Sequence, residues 1–286
     1  MSDDGRRAIS VIAFIGTVFS PWYAWSGRGD PANHVCLNVT TAGPGGRFTM
    51  TDRGRGALRQ APGAITIGPS RMAWDGRRLV VEVDEWGAPP LVTRVRGRIV
   101  LEPAAVTGVE LPLTPDGAHI WRPFAPVSRI EVDLGRPGWQ WRGHGYLDAN
   151  FGTRPLEDDF SQWTWGRFAA PDAALCQYDA LRRDGASARL GMRFGADGGV
   201  EVVDLPAPSP LPRTIWGLPR QVRSDPGSQP SVLRTMLDGP FYNRSVVQAR
   251  IDGATVEGVH ETLDLRRYAR TWVKALVATR VPRRRG

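Results

Sequence analysis

Residues 129–134 read RIEVDL, in which Ile130, Val132 and Leu134 alternate with Arg129, Glu131 and Asp133. Successive side chains of a strand point to opposite faces, so this period of two marks a strand with one buried and one wet side. The pattern recurs on both sides of the stretch. At 79–84, Leu79, Val81 and Val83 oppose Glu82 and Asp84; at 94–101, Val95, Ile99 and Leu101 oppose Arg94, Arg96 and Arg98. At 189–194, Leu190, Met192 and Phe194 oppose Arg189 and Arg193. Residues 246–251 and 254–263 flank Asp252-Gly253, a two-residue hairpin signal. Asp-Gly pairs also fall at 75–76, 116–117, 184–185 and 197–198, and 33 Gly and 24 Pro punctuate the chain too often for long helices. The fold expected is all-β, built from half-buried antiparallel strands in barrels or sandwiches, with few short helices. Residues 206–212, PAPSPLP, read as a polyproline-like connector. One helix is expected over 265–276, with Leu265, Tyr268, Trp272 and Leu276 on one face and Arg266, Arg267, Arg270 and Lys274 around it, followed by a basic segment at 281–286.

Composition narrows the classes. A chain of 286 residues with 41% apolar and 23% charged residues can bury a sizeable core in one large or two modest domains. The net charge of +8 is almost wholly Arg, since Lys274 is the only lysine. Most Arg alternate with apolar residues or adjoin acids, as on solvated strand faces, so no nucleic-acid partner is expected. The C-terminal segment is the exception, and it suits peripheral contact with an anionic membrane. Cys36 and Cys176 stand far apart without a CxxC or Cys/His cluster, so no metal site is expected. The longest apolar run, 8–19, falls well short of the roughly 20 residues of a spanning helix. With no signal-peptide pattern around that run, the expected compartment is the cytoplasm.

The stretch 139–165, WQWRGHGYLDANFGTRPLEDDFSQWTW, mixes four Trp with Asp148, Glu157, Asp158 and Asp159. Aromatic surface with a few convergent polar groups is how small-molecule sites are built. On a strand, His144, Tyr146, Asp148 and Asn150 form one polar row, while Leu147 and Ala149 face away. Residues 157–159 read first as a solvated turn. His119 and Trp121 share a face in HIW (119–121), and Trp22 and Trp25 belong to a second aromatic cluster, FSPWYAW (19–25). Glycine pairs at 54/56 and 143/145 lack the strand–turn–helix context of a phosphate loop.

Several blocks together resemble a known family. FSPWYAW (19–25), HIWRPFAP (119–126), WRGHGYLDANFG (141–152), PLEDDFSQWTWGR (155–167) and VHETLDLRRY (259–268) resemble the carotenoid 1,2-hydratases (hydroxyneurosporene synthases) of purple photosynthetic bacteria. A wider lipocalin-like set often has Asp-His-Asn-Trp-Gly after the tyrosine; here Ala149 and Phe151 stand in place of His and Trp. The resemblance implies two lipocalin-like β-barrel domains, expected at 1–140 and 141–286. It also implies addition of water, without a cofactor, to the C1–C2 double bond of an acyclic carotenoid such as neurosporene or lycopene. The product would be a 1-hydroxy carotenoid of the spheroidene or spirilloxanthin route, made peripherally on the inner membrane.

That chemistry requires a strong acid that is still protonated in a dry pocket, and a carboxyl with a burial-raised pKa qualifies. Asp148 is the expected acid, with Asp158 and Asp159 as weaker alternatives. Trp121 and Tyr146 would face the cation, and His119 or Tyr146 would handle the water. Trp22, Trp25, Trp141, Phe151, Trp163 and Trp165 are expected to line the substrate, with His144 and Asn150 supporting Asp148. Two other readings compete: a carbohydrate-active β-protein, since Trp platforms beside paired carboxylates suit glycosidases, and a non-catalytic lipocalin-like carrier.

Overall fold

The computed structural model describes residues 1–17 and 19–284. Strands dominate and the all-β expectation holds. The chain forms two compact units that interleave in sequence instead of dividing at one cut between 140 and 141. One comprises Met1–Pro103, Arg129–Gly145 and Thr271–Gly286; the other comprises Ala104–Ser128 and Tyr146–Arg270. The long strands His119–Arg136 and Trp139–Gly152 each contribute residues to both units.

In the first unit, Ala8–Ile15 pairs antiparallel with Val35–Ala42, and Leu79–Trp86 with Arg94–Pro103. The alternation read from the sequence sets the core: Val81, Val83, Val95, Ile99, Val132 and Leu134 are buried in one cluster with Leu37, Val39 and Trp139. Each such side chain contributes about 1.5–3 kcal/mol by leaving water. Gly97 interrupts its strand's alternation because the backbone there is crowded. A Cβ on it would lie 2.1 Å from the Asp133 carbonyl oxygen.

The second unit is built on a seven-stranded antiparallel sheet. Its order is Val200–Val202, Ser187–Gly195, Ala173–Arg182, Phe160–Ala170, Ala254–Asp264, Tyr242–Ile251 and Ser231–Asp238. The Asp252-Gly253 hairpin forms as expected. Both residues have positive φ, 52° and 78°, and Ile251 pairs with Ala254 across them. A small hairpin, Pro208–Leu211 with Arg220–Arg223, covers one sheet face, where Leu211 and Val222 pack on Phe168, Val247, Ala249 and Ile251. The expected polyproline connector is therefore in part a paired strand: Pro208 and Pro210 sit on a two-stranded ribbon, where missing N–H groups cost little.

Two further expectations are corrected. Among the described residues each sheet has two ends in its strand order, so the sheets are open and not closed barrels. The helix expected at 265–276 breaks into Leu265–Tyr268 and Thr271–Ala278. Asp264 caps the first piece by accepting the Arg267 N–H at 2.9 Å. The break changes the helical phase, burying Leu265 and Tyr268 and leaving Trp272 and Leu276 exposed. No helix among the described residues is long and apolar enough to cross a membrane.

Candidate active site

Strand alternation places Tyr146, Asp148 and Asn150 on one side of Trp139–Gly152. Tyr146 and Asp148 are half-buried, and Asn150, nearer the strand's end, is exposed. From the neighbouring strand Trp121, which has no exposed surface, donates its indole N–H to Asp148 Oδ2 at 2.8 Å. An indole nitrogen only donates, so Oδ2 is fixed as an acceptor and a proton on this carboxyl resides on Oδ1. Burial raises the Asp148 pKa from 3.8 to about 6, against the lowering effect of the Trp121 and Tyr146 donors. Glu261 pushes it up further and Arg244 draws it down. The Tyr146 hydroxyl acts on this carboxyl without closing a hydrogen bond of ordinary geometry. Burial keeps that phenol protonated far above its usual range.

The second unit's large sheet supplies the aromatic groups. Residues directly opposite in an antiparallel ladder share a face. Register therefore sets Tyr178, Trp165, Glu261 and Arg244 in one row across four strands, with Trp163 and Tyr242 in the next row of that face. Trp165 lies 5.1 Å from the Tyr146 ring, Tyr178 lies 5.4 Å from Trp121, and Trp163 lies 5.9 Å from Tyr178. Arg167, on the same face, is spread over the Tyr146 ring at 5.9 Å and donates from Nη2 to the Pro126 carbonyl at 2.8 Å. The indole N–H groups of Trp163 and Trp165 are buried without a partner. Buried polar groups are nearly always paired, and two orphaned donors in one aromatic cluster are suited to receiving an oxygen-bearing ligand. Chemically, the arrangement offers a carboxyl whose pKa burial has raised, with π faces around it.

The structure does not bring every expected residue to Asp148. His119 is buried, but its Nε2 donates to Asp159 Oδ2 at 2.7 Å, a tautomer assigned from the carboxylate partner. Its Nδ1 abuts Gly152, where a Cβ would come within 2.8 Å. Arg154 clamps the same Asp159 with bonds of 2.6 and 2.9 Å and holds its pKa below the usual carboxylate range. Asp159 is therefore a poor proton donor, and exposed Asp158 cannot be a dry acid; both alternatives to Asp148 are corrected. So is the supporting role of His144, which stands four strand residues from Asp148, about 13 Å along the backbone; its ring lies in the field of Asp3. Trp141 packs on the first unit's core, and Trp22 donates to the Val281 carbonyl at 2.6 Å beside an exposed Trp25. These three indoles belong to the first unit and Asp148 to the second. Phe151 is exposed, with the Arg122 guanidinium over its ring at 5.8 Å. Asn150 has a contact of 3.5 Å with the Tyr178 hydroxyl, at the limit of a hydrogen bond.

Sequence reasoning missed Tyr178, Arg167, Glu261 and Arg244. Glu261 and Arg244 could have been found. A two-residue turn at 252–253 pairs 251 with 254, and counting back along both strands pairs 244 with 261, as observed. Among the described residues no three His, Cys, Asp or Glu side chains gather to hold a metal ion.

An all-β unit that sets one carboxyl of burial-raised pKa among indole and phenol rings is equipped for acid chemistry on an apolar molecule. The sequence profile of the family described as Carotenoid hydratase CrtC matches residues 11–286, and the chain belongs to that family. It is 55% identical over 276 residues to the acyclic carotenoid 1,2-hydratase of Cereibacter sphaeroides, covering 96% of this chain and 99% of the relative. It is 53% identical over 277 residues to the enzyme of the same name from Rhodobacter capsulatus, covering 96% and 98%. Among solved structures, one described as a candidate AttH from Nitrosomonas europaea superposes with a TM-score of 0.64 at 12% identity, over 92% of this chain and 88% of that one. CghA with Sch210972 gives 0.53 at 12% identity, over 92% and 86%. At such identities these two show the fold alone.

Proposed function

We propose that this protein hydrates the C1–C2 double bond of acyclic carotenoids, with Asp148 as the proton donor. The relatives' names supply the reaction class, and the observation that carries the residue assignment is the half-buried Asp148 carboxyl of raised pKa, with one oxygen taken by Trp121. In the proposed sequence the Asp148 Oδ1–H bond breaks as a C–H bond forms at C2. The π pair moves into that bond and leaves a tertiary cation at C1. Trp121, Tyr146 and Trp165 present π faces to the positive charge, and such contacts are worth about 2 kcal/mol when desolvated. Water then bonds to C1 and loses a proton, giving the 1-hydroxy product. The orphaned indole donors of Trp163 and Trp165 are suited to holding that oxygen.

Incubation with lycopene or neurosporene tests the assignment. The wild type should give a more polar 1-hydroxy product and Asp148→Asn none, with an unchanged circular dichroism spectrum. Substantial hydration by the folded variant would remove Asp148 from the role.

The substrate partitions into bilayers, and the reading includes peripheral contact with an anionic membrane through part of 265–285. Residue Arg285, like Gly286, lies outside the described residues. Exposed Trp272 and Leu276 are four apart on Thr271–Ala278 and so share a helix side. Arg283, by contrast, is turned onto Asp52. Point variants are therefore a cleaner test than truncation. Trp272→Ala with Leu276→Ala should abolish flotation with anionic liposomes, and unchanged flotation would count against this face.

A further inference from the structure

Hydration needs a group to take the proton that the water sheds on bonding to C1, and the residues first expected to do so are poorly placed for it. Burial holds Tyr146 and Tyr178 as phenols and Cys176 as a thiol. His119 has committed Nε2 to Asp159, and its Nδ1 is packed against Gly152. On the sheet face that carries Trp163, Trp165 and Tyr178, the carboxylate in the row of Trp165 is Glu261, directly opposite Trp165 on one side and Arg244 on the other. Arg244 is buried and donates from Nε to Glu261 Oε1 at 2.7 Å, with its guanidinium over the Tyr242 ring at 5.6 Å. The pair fixes the carboxylate's position. Arg244, and the Tyr242 hydroxyl that also acts on this carboxylate, leave part of its about four lone-pair sites open, and the Glu261 side chain keeps 19% of its surface exposed. A carboxylate held in place, not fully saturated and not sealed from water is what a general base requires.

We infer that Glu261, positioned by Arg244, is the base that deprotonates the water captured at C1. This rests on the hydratase reading and on Asp148 as its acid. Asp148 Oδ1 gives its proton to C2, the water oxygen bonds to C1, and the water's O–H proton passes to the Glu261 carboxylate. Return of that proton to Asp148 through water restores both groups, and the net change is one water added. The effect of Glu261 on the Asp148 carboxyl accords with their proximity. One carboxyl kept neutral and a second kept paired is how environment divides acid from base.

Turnover in D2O separates the two steps, because protonation without capture is reversible. The cation can lose a proton again, so recovered substrate gains deuterium at C2. For Glu261→Gln, whose amide oxygen still accepts from Arg244, hydration should fall by about 10²- to 10⁴-fold. Deuterium in recovered carotenoid, read by mass spectrometry, should stay within a few-fold of wild type or rise. Asp148→Asn should lose both. Hydration by Glu261→Gln at the wild-type rate would overturn the inference, and would mean that Asp148 takes back the proton itself. Loss of both hydration and exchange in a folded Glu261→Gln protein would also overturn it, because Glu261 would then be serving the acid step. Should that variant not fold, Arg244→Met with Glu261→Met removes both charges and is expected to show the same exchange without hydration. A wild-type protein that leaves carotenoid unchanged would sink the hydratase reading, an outcome distinct from both.

Discussion

Replacing Asp148 by Asn should abolish hydration and also stabilise the protein, by an amount that depends on pH. The carboxyl's pKa is about 6 folded against an ordinary 3.8, so between those values the native state holds a proton that the unfolded chain has released. Stability therefore falls as pH rises from about 4 through 6, where the native carboxyl ionises in its apolar surroundings, and then levels off. A shift of about two units at 1.36 kcal/mol each makes the cumulative loss about 3 kcal/mol, an upper figure because Asp148 retains some exposure. The Asp148→Asn side chain would carry no titrating proton, and its amide oxygen can still accept the Trp121 N–H. Relative to wild type, the variant should gain nothing near pH 4 and most of that energy by pH 8. At about 2–4 °C per kcal/mol for a domain of this size, the difference in Tm should open by about 5–10 °C. Calorimetry, or Trp fluorescence reporting on Trp121, Trp163 and Trp165, follows it across that pH range. A difference in Tm that is the same at pH 4.5 and pH 8 would refute the claim that burial raises the Asp148 pKa.

Other consequences follow from the same contacts. Because the active form is the protonated acid, kcat/KM should fall about tenfold per unit above pH 6; a flat profile from pH 6 to pH 8 would contradict the assignment. Trp121→Phe removes a donor that favours the ionised carboxyl, so the descending limb should move up by about one pH unit, in step with a hydrogen bond of about 1–1.5 kcal/mol. A limb that moves down would show that the indole acts otherwise. In the first unit, Arg283→Ala strips the cation from Asp52, which has 1% side-chain exposure and is also bonded by Ser20 and His34. Denaturant unfolding should show a loss of about 3–5 kcal/mol, the cost of leaving a buried charge unpaired, whereas Arg284→Ala should change little.

How much the sequence disclosed differs by level. Strand faces were legible because burial repeats every two residues: Val81, Val83, Val95 and Ile99 were placed inward by alternation alone, and all are in the core. The proposed acid was legible for the same reason, since Tyr146 and Asp148 share a strand face whatever lies across from them. What faces that strand was not legible. Tyr178 meets Trp121 through pairing set by the register of other strands, and a one-residue slip would have turned it away. The grouping into units was also hidden, because the two longest strands carry both units' residues in unbroken sequence. Aromatic density was misleading for this reason. Trp139, Trp141, Trp163 and Trp165 look like one cluster along the chain, yet the first two belong to one unit and the last two to the other.

That hydrogen bond from Trp121 makes the site directional. A neutral carboxyl in a merely greasy pocket could place its proton on either oxygen and rotate between them. Here a fully buried indole with a single donor occupies Oδ2, so the acidic hydrogen is confined to Oδ1. The donor carries a cost, since it also stabilises the carboxylate and lowers the pKa that burial raises. The balance struck, about 6, leaves roughly a tenth of the molecules protonated at pH 7. Entry of an oily polyene would displace the remaining water from the partly exposed Asp148 and push that fraction up. Substrate binding would thus raise the protonated fraction of the acid that acts on it, and the apparent pKa should be higher in kcat than in kcat/KM. Equal values for the two would mean that the carotenoid's arrival leaves the solvation of Asp148 unchanged.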